Sequence, residues 1–233
     1  MAKVLFGINA IVAWAGVLLS FTLNVTGHYV GTGDPTKPTL LGNVPSGIDT
    51  PWERFFDWIT YFTLWSNIVV AVVVTVVWLR PDLFTRSDRA GFIWRTLRLD
   101  SMIMIIVTGV LYNLLLATPK AGVDAVSNAL LHIITPLVTV LVWLIVGPRG
   151  LISFKTIPAA LVVPLAWVVF ALVRGAIIGA YPYPFLDVAT KGLPSVLQFI
   201  VVIVVIAVIL SLVLMGIDSL IRKSVRKDDP APA

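Results

Sequence analysis

The chain has 233 residues, of which 58% are hydrophobic and 12% charged, a composition outside the range of ordinary soluble domains. It carries no cysteine, which excludes disulfides, thiolate metal sites and cysteine nucleophiles. A membrane-spanning helix consumes about 20 apolar residues, so this length leaves no room for a separate soluble domain, and the formal charge of +5 has to be explained by loops between membrane segments.

The first apolar stretch, residues 4–26, is too long for a signal-peptide core and shows no small-x-small cleavage pattern, so it reads as a retained helix. The connection that follows, 27–56, is dense in Gly and Pro ("GTGDPTKPTLLGNVPSGIDTPWERF") and reads as a cap or lid built from turns. The second stretch, 57–79, places Thr60, Thr63 and Asn67 at i, i+3 and i+7, on one helical face. The third, 99–118, carries Asn113 near its end.

The fourth stretch, 128–146, opens on "SNALLH" and sets Asn128, His132 and Thr135 on one face at i, i+4 and i+7. The fifth, 157–179, holds Arg174 and the pair Gly175 and Gly179, a small-xxx-small step that suggests close helix packing. After it comes "AYPYPFLDVATKGLP", in which Tyr181, Tyr183 and Phe185 are read as interfacial anchors or substrate contacts. The sixth stretch is 195–217. The tail "RKSVRKDD" is a stop-transfer flank that can also sit against anionic lipid.

Runs such as "VVIVVIAVILSLVL" lack the alternation of a lipid-facing strand. The expected fold is therefore all-α, a polytopic membrane protein of six transmembrane helices forming one domain. With a cytoplasmic N-terminus, twelve of the 17 Lys and Arg fall on the inner side, which places the C-terminus inside as well. This sidedness explains the net charge without nucleic acid as a partner.

Depth is the informative coordinate. Counting about 1.5 Å per residue, Thr63 and His132 lie at one level below the outer boundary, and Asn113 and Arg174 fall in the same band. The inner halves offer almost no strong polar groups. Polar side chains in a membrane face the bundle interior or a wet cavity, so this band marks a pocket opening toward the outer leaflet. A neutral imidazole accepts a proton, and a hydroxyl within its reach becomes a nucleophile. Asn67, Asn113, Asn128 and Arg174 are candidate donors to a substrate or a developing oxyanion; Arg174 alternatively pairs with a carboxylate such as Asp187.

The segments "YFTLWSN", "SNALLH" and "YPYPFLD" resemble the androgen-induced-gene / FAR-17a-like family and its bacterial relatives, over about residues 57–190. The resemblance implies six helices, both termini inside, and a threonine hydrolase of fatty acid esters of hydroxy fatty acids. It implies Thr63 as nucleophile and His132 as its partner, with Thr60 as a rival for the first role. The expected partners are a lipid or fatty-acyl ester substrate and the membrane, with no cofactor and no metal, and the expected location is a bacterial plasma membrane with the site facing outward. Two other readings stand beside it: a binding or transport protein in which Arg174 and His132 hold an anionic lipid or small acid, and a haem or quinone protein using His28 and His132.

Overall fold

The computed structural model describes residues 1–32, 40 and 49–227, with side chains up to residue 224. Most of the 27–56 connection and the end of the basic tail therefore lie outside the described residues. Every regular element among those described is helical. Besides short turns of helix at Asp82–Thr85, Pro184–Leu186 and Val188–Lys191, they are in chain order α1 (Ala2–Val25), the short α2 (Pro51–Ile59), α3 (Phe62–Leu79), α4 (Arg89–Leu116), α5 (Gly122–Val146), α6 (Thr156–Ile178) and α7 (Leu193–Lys227). All but α2 are long and apolar enough to cross a membrane, six helices in all.

Apart from the one that follows α1, the connections between spanning helices are short, and side-chain bonds tie the end of α1 to α2 and to the start of α5, and the start of α3 to His132 and Tyr183. One face of the bundle thus gathers the end of α1, all of α2, the start of α3, the α4–α5 turn and the segment 179–192. Helices α1, α3, α4 and α5 form the packed core; Ala10 and Ala13 of α1 lie against Val70, Ala71 and Val74 of α3 and Ile105 of α4. Side chains cross-link it: the Trp14 indole donates to Thr75 Oγ1 at 3.1 Å, and Thr108 Oγ1 to Ser66 Oγ at 2.8 Å. Such bonds replace the hydrophobic drive that lipid cannot supply between helices. Helices α6 and α7 flank α4 and bury far less of themselves, 17% against 44–50% for α1, α3 and α4.

The stretch 57–79, expected as one helix, is two. α2 starts where Thr50 Oγ1 caps the Glu53 N–H at 3.2 Å and Pro51 takes the first helical position, both standard start signals. It stops at Ile59, Tyr61 is extended (φ −78°, ψ 132°), and α3 begins at Phe62. Two indoles satisfy the carbonyls left at the break: Trp65 Nε1 donates to Ile59 O at 2.8 Å and Trp167 Nε1 to Thr60 O at 2.9 Å. α4 also starts ten residues before the expected 99, which draws Arg98 into the helix, and α5 starts at Gly122 rather than 128. The Gly175 and Gly179 step does not seat a neighbouring helix. A Cβ at Gly175 would lie 2.2 Å from the Tyr181 ring, so the glycine receives the loop, while Gly179 ends α6 at φ +68°.

Candidate active site at the start of α3

Thr63 is the second residue of α3, so its backbone N–H is one of the donors that no helical carbonyl can take. Its Oγ1 lies 3.1 Å from His132 Nε2, both residues buried. The other imidazole nitrogen, Nδ1, lies 3.1 Å from the Asn128 carbonyl oxygen. A carbonyl only accepts, so Nδ1 carries the hydrogen and Nε2 of the neutral ring carries the lone pair. Thr63 therefore donates to His132, the polarity that a hydroxyl nucleophile and its base require. The Tyr112 ring stacks on the imidazole at 3.5 Å between centroids and fixes its plane.

His132 is held by an irregularity that its sequence explains. Pro136, four residues on, has no N–H to give the His132 carbonyl and its ring crowds that oxygen. The helix widens into a π-turn over Leu130–Ile134, and the Thr135 N–H goes to Leu130 O. The carbonyls of Leu131 and His132 are left without their i+4 donors. Two asparagine side chains from other helices take them: Asn67 Nδ2 donates to Leu131 O at 3.2 Å and Asn113 Nδ2 to His132 O at 3.1 Å. Gly109 makes room for this turn, since a Cβ there would meet Pro136 Cβ at 3.1 Å. A second π-turn, Tyr112–Leu116, faces the first; single π-turns of this kind concentrate at functional sites.

This accounts for the expected donors one by one. Asn67 also bonds Thr63 O at 2.8 Å and Asn113 bonds Gly109 O at 2.8 Å, so both amides are spent on backbone. Asn128 contributes its backbone carbonyl to His132. Arg174 pairs with Asp57 of α2 at 2.5 Å and not with Asp187. Asp187 instead caps the short helix Val188–Lys191, accepting from Ala189 N at 3.0 Å. Thr60 does not share a helix with Thr63; its hydroxyl donates to Phe56 O at 2.6 Å. His28 bonds Asp124 at 2.9 Å, and both His132 nitrogens are engaged as described.

Sequence reasoning missed Tyr183. Its hydroxyl lies 3.3 Å from Thr63 N and 3.3 Å from Thr63 Oγ1. Two prolines flank it, but nothing in the chain announces that this loop folds back onto α3. It also missed Arg98 and Asp100, which are buried on α4 with no hydrogen-bond partner among the described residues. They lie about 12 residues, roughly 18 Å along the helix, from the level of Tyr112.

From Thr63 and Tyr183 an apolar cleft with about 840 Å³ of free volume, part of it open to the outside, runs between α4, α6 and α7. Phe62, Met104, Val107, Leu165, Trp167 and Ile203 are among its walls. Thr63, bonded to His132, thus stands at one end of a hydrocarbon-lined groove. Compared with protein families, curated proteins and solved structures, the chain matches none.

Proposed function

We propose that the protein is an intramembrane lipid ester hydrolase with Thr63 as nucleophile and His132 as general base. The observation that carries this is the Thr63 hydroxyl donating to a histidine whose other nitrogen is fixed by Asn128, at the end of an apolar cleft. Thr63 Oγ1 attacks the ester carbonyl carbon as its proton passes to His132 Nε2. The tetrahedral intermediate collapses, the alcohol leaves with the proton from Nε2, and the acyl group stays on Thr63. A water then attacks that acyl ester, His132 takes its proton and returns it to Thr63 Oγ1, and the fatty acid is released.

The groove offers apolar walls to an acyl chain lying along α7, as one chain of a fatty acid ester of a hydroxy fatty acid requires. That is the substrate class implied by the resemblance carried by "YFTLWSN", "SNALLH" and "YPYPFLD". The excess of Lys and Arg at the face opposite Thr63, including Arg80, Arg86, Arg89, Arg95, Arg149 and Lys155, argues for both termini in the cytoplasm and the site toward the outer side of a bacterial plasma membrane. The transport reading needs Arg174 as an anion receptor, and that guanidinium pairs through Nη2 with Asp57 and does not line the cleft.

The test is hydrolysis of such an ester by the purified chain in detergent, with product fatty acid measured. Wild type and Thr60→Ala should turn over; Thr63→Ala and His132→Ala, both folded, should not. Turnover retained in both of the latter variants contradicts the proposal.

A further inference from the structure

The hydrolase reading leaves the oxyanion without a donor among the expected residues: the Asn67 and Asn113 amides are spent on backbone carbonyls, and neither Asn128 nor Arg174 lines the cleft. The Thr63 backbone N–H at the start of α3 is not open either. The Tyr183 oxygen accepts from Thr63 N at 3.3 Å. The phenol has one proton to place, and Thr63 Oγ1 at 3.3 Å, whose own proton is given to His132, is its acceptor. The Thr63 proton points to His132, so the chain of donors runs in one direction: Tyr183 to Thr63 to His132 to the Asn128 carbonyl.

Resting on the hydrolase reading, we propose that Tyr183 is a catalytic residue of this site, the hydrogen-bond donor to the oxyanion that forms when Thr63 attacks an ester. The phenol and Thr63 line the same cleft, so the acyl oxygen of a bound ester falls within reach of both. As Thr63 Oγ1 bonds to carbon it becomes a weak acceptor, and the acyl oxygen, gaining the negative charge, becomes the strong one. The Tyr183 hydrogen turns from the first to the second. No proton is transferred in this step; the phenol stays intact.

Three features suit Tyr183 to this task. Its ring cannot drift: it stacks on Phe185 at 5.1 Å, meets the edge of Tyr61 at 5.6 Å and lies 6.1 Å from Trp167. Pro182 and Pro184 bracket its backbone, which is extended (φ −140°, ψ 144°) as a residue before proline must be. The Thr63 amide behind its oxygen belongs to a helix N-terminus, whose partial positive charge polarises the O–H and strengthens it as a donor. Burial also pushes the phenol above its ordinary ionisation range, which keeps the hydrogen in place.

The experiment compares wild type, Tyr183→Phe and Thr63→Ala in detergent on a p-nitrophenyl acyl ester, with kcat and KM separated. Tyr183→Phe keeps the ring and removes the donor; kcat should fall 10²–10³-fold with KM nearly unchanged, the usual effect of deleting one oxyanion donor. A second variant carries difluorotyrosine at position 183, which preserves the packing and makes the phenol more acidic. The alkaline limb of its pH profile should move to lower pH, a shift that a purely structural tyrosine would not give. If Tyr183→Phe stays within threefold of wild type and the fluorinated variant leaves the profile unmoved while Thr63→Ala is inactive, the Tyr183 role is overturned and the hydrolase reading stands. If wild type itself does not turn over, both fall together.

Discussion

The two halves of the bundle are built differently. Helices α1, α3, α4 and α5 are packed and cross-linked, and there the Asn67 and Asn113 amides end on backbone carbonyls and His132 on Thr63 and the Asn128 carbonyl. Helices α6 and α7 bury little of themselves and, with α4, enclose the apolar cleft. The rigid half carries the reacting pair at hydrogen-bond distance, and the sparsely packed half provides the groove. The division suits a site needing sub-ångström placement of a nucleophile but tolerance in the chain it accepts.

Removing the pair itself should have the largest effect. Thr63→Ala or His132→Ala should lower kcat by at least about 10⁴-fold, as loss of a nucleophile or its base does elsewhere, measured as fatty acid release with folding checked by thermal denaturation. Next comes the π-turn. Pro136→Ala restores an N–H for the His132 carbonyl and lets α5 close into regular helix; Asn67→Leu strips the Leu131 carbonyl of its donor. Each should cost about 10–100-fold in kcat with little change in KM, because either moves the imidazole by a fraction of an ångström.

Breaking the ion pair of Asp57 and Arg174 should act on stability more than on chemistry. Arg174→Met leaves a largely buried carboxylate without its partner, which typically costs about 3–5 kcal/mol, read as a lower midpoint in thermal denaturation; the kcat of the remaining folded protein should change little. The smallest effect belongs to the loose half. Val204 lies 11 residues into α7, about 16 Å along it, and lines the cleft. Val204→Phe should lower kcat/KM about tenfold for long acyl chains and leave short ones untouched, shown by a chain-length series of esters.

How much of this was legible follows from where each signal lives. Six spans and a common polar level are one-dimensional properties, so hydropathy and helical counting were enough to put Thr63 and His132 at the same depth. Their contact depends on rotation about α3 and α5, which sequence does not encode locally. The break at Thr60 and Tyr61 escaped because no proline or glycine marks it; two indoles, one of them 107 residues away, stabilise it. The asparagines were read as substrate donors because the consequence of Pro136 for the carbonyls at 131 and 132 was not followed through, although it is written in "LHIITP". The sequence leaves Arg174 between a substrate donor and a partner of Asp187, the nearest acidic residue along the chain, and its partner Asp57 lies 117 residues away. It leaves Tyr183 between an interfacial anchor and a substrate contact, and only the folded loop brings it to Thr63.

The central claim is that His132 activates the Thr63 hydroxyl. The most direct measurement is labelling of the detergent-solubilised protein with a fluorophosphonate probe, followed by peptide mass spectrometry to locate the adduct. The account expects the adduct on Thr63, abolished in His132→Ala and undiminished in Thr60→Ala. Well-folded protein that takes no label, or label on another residue that persists in Thr63→Ala, contradicts it.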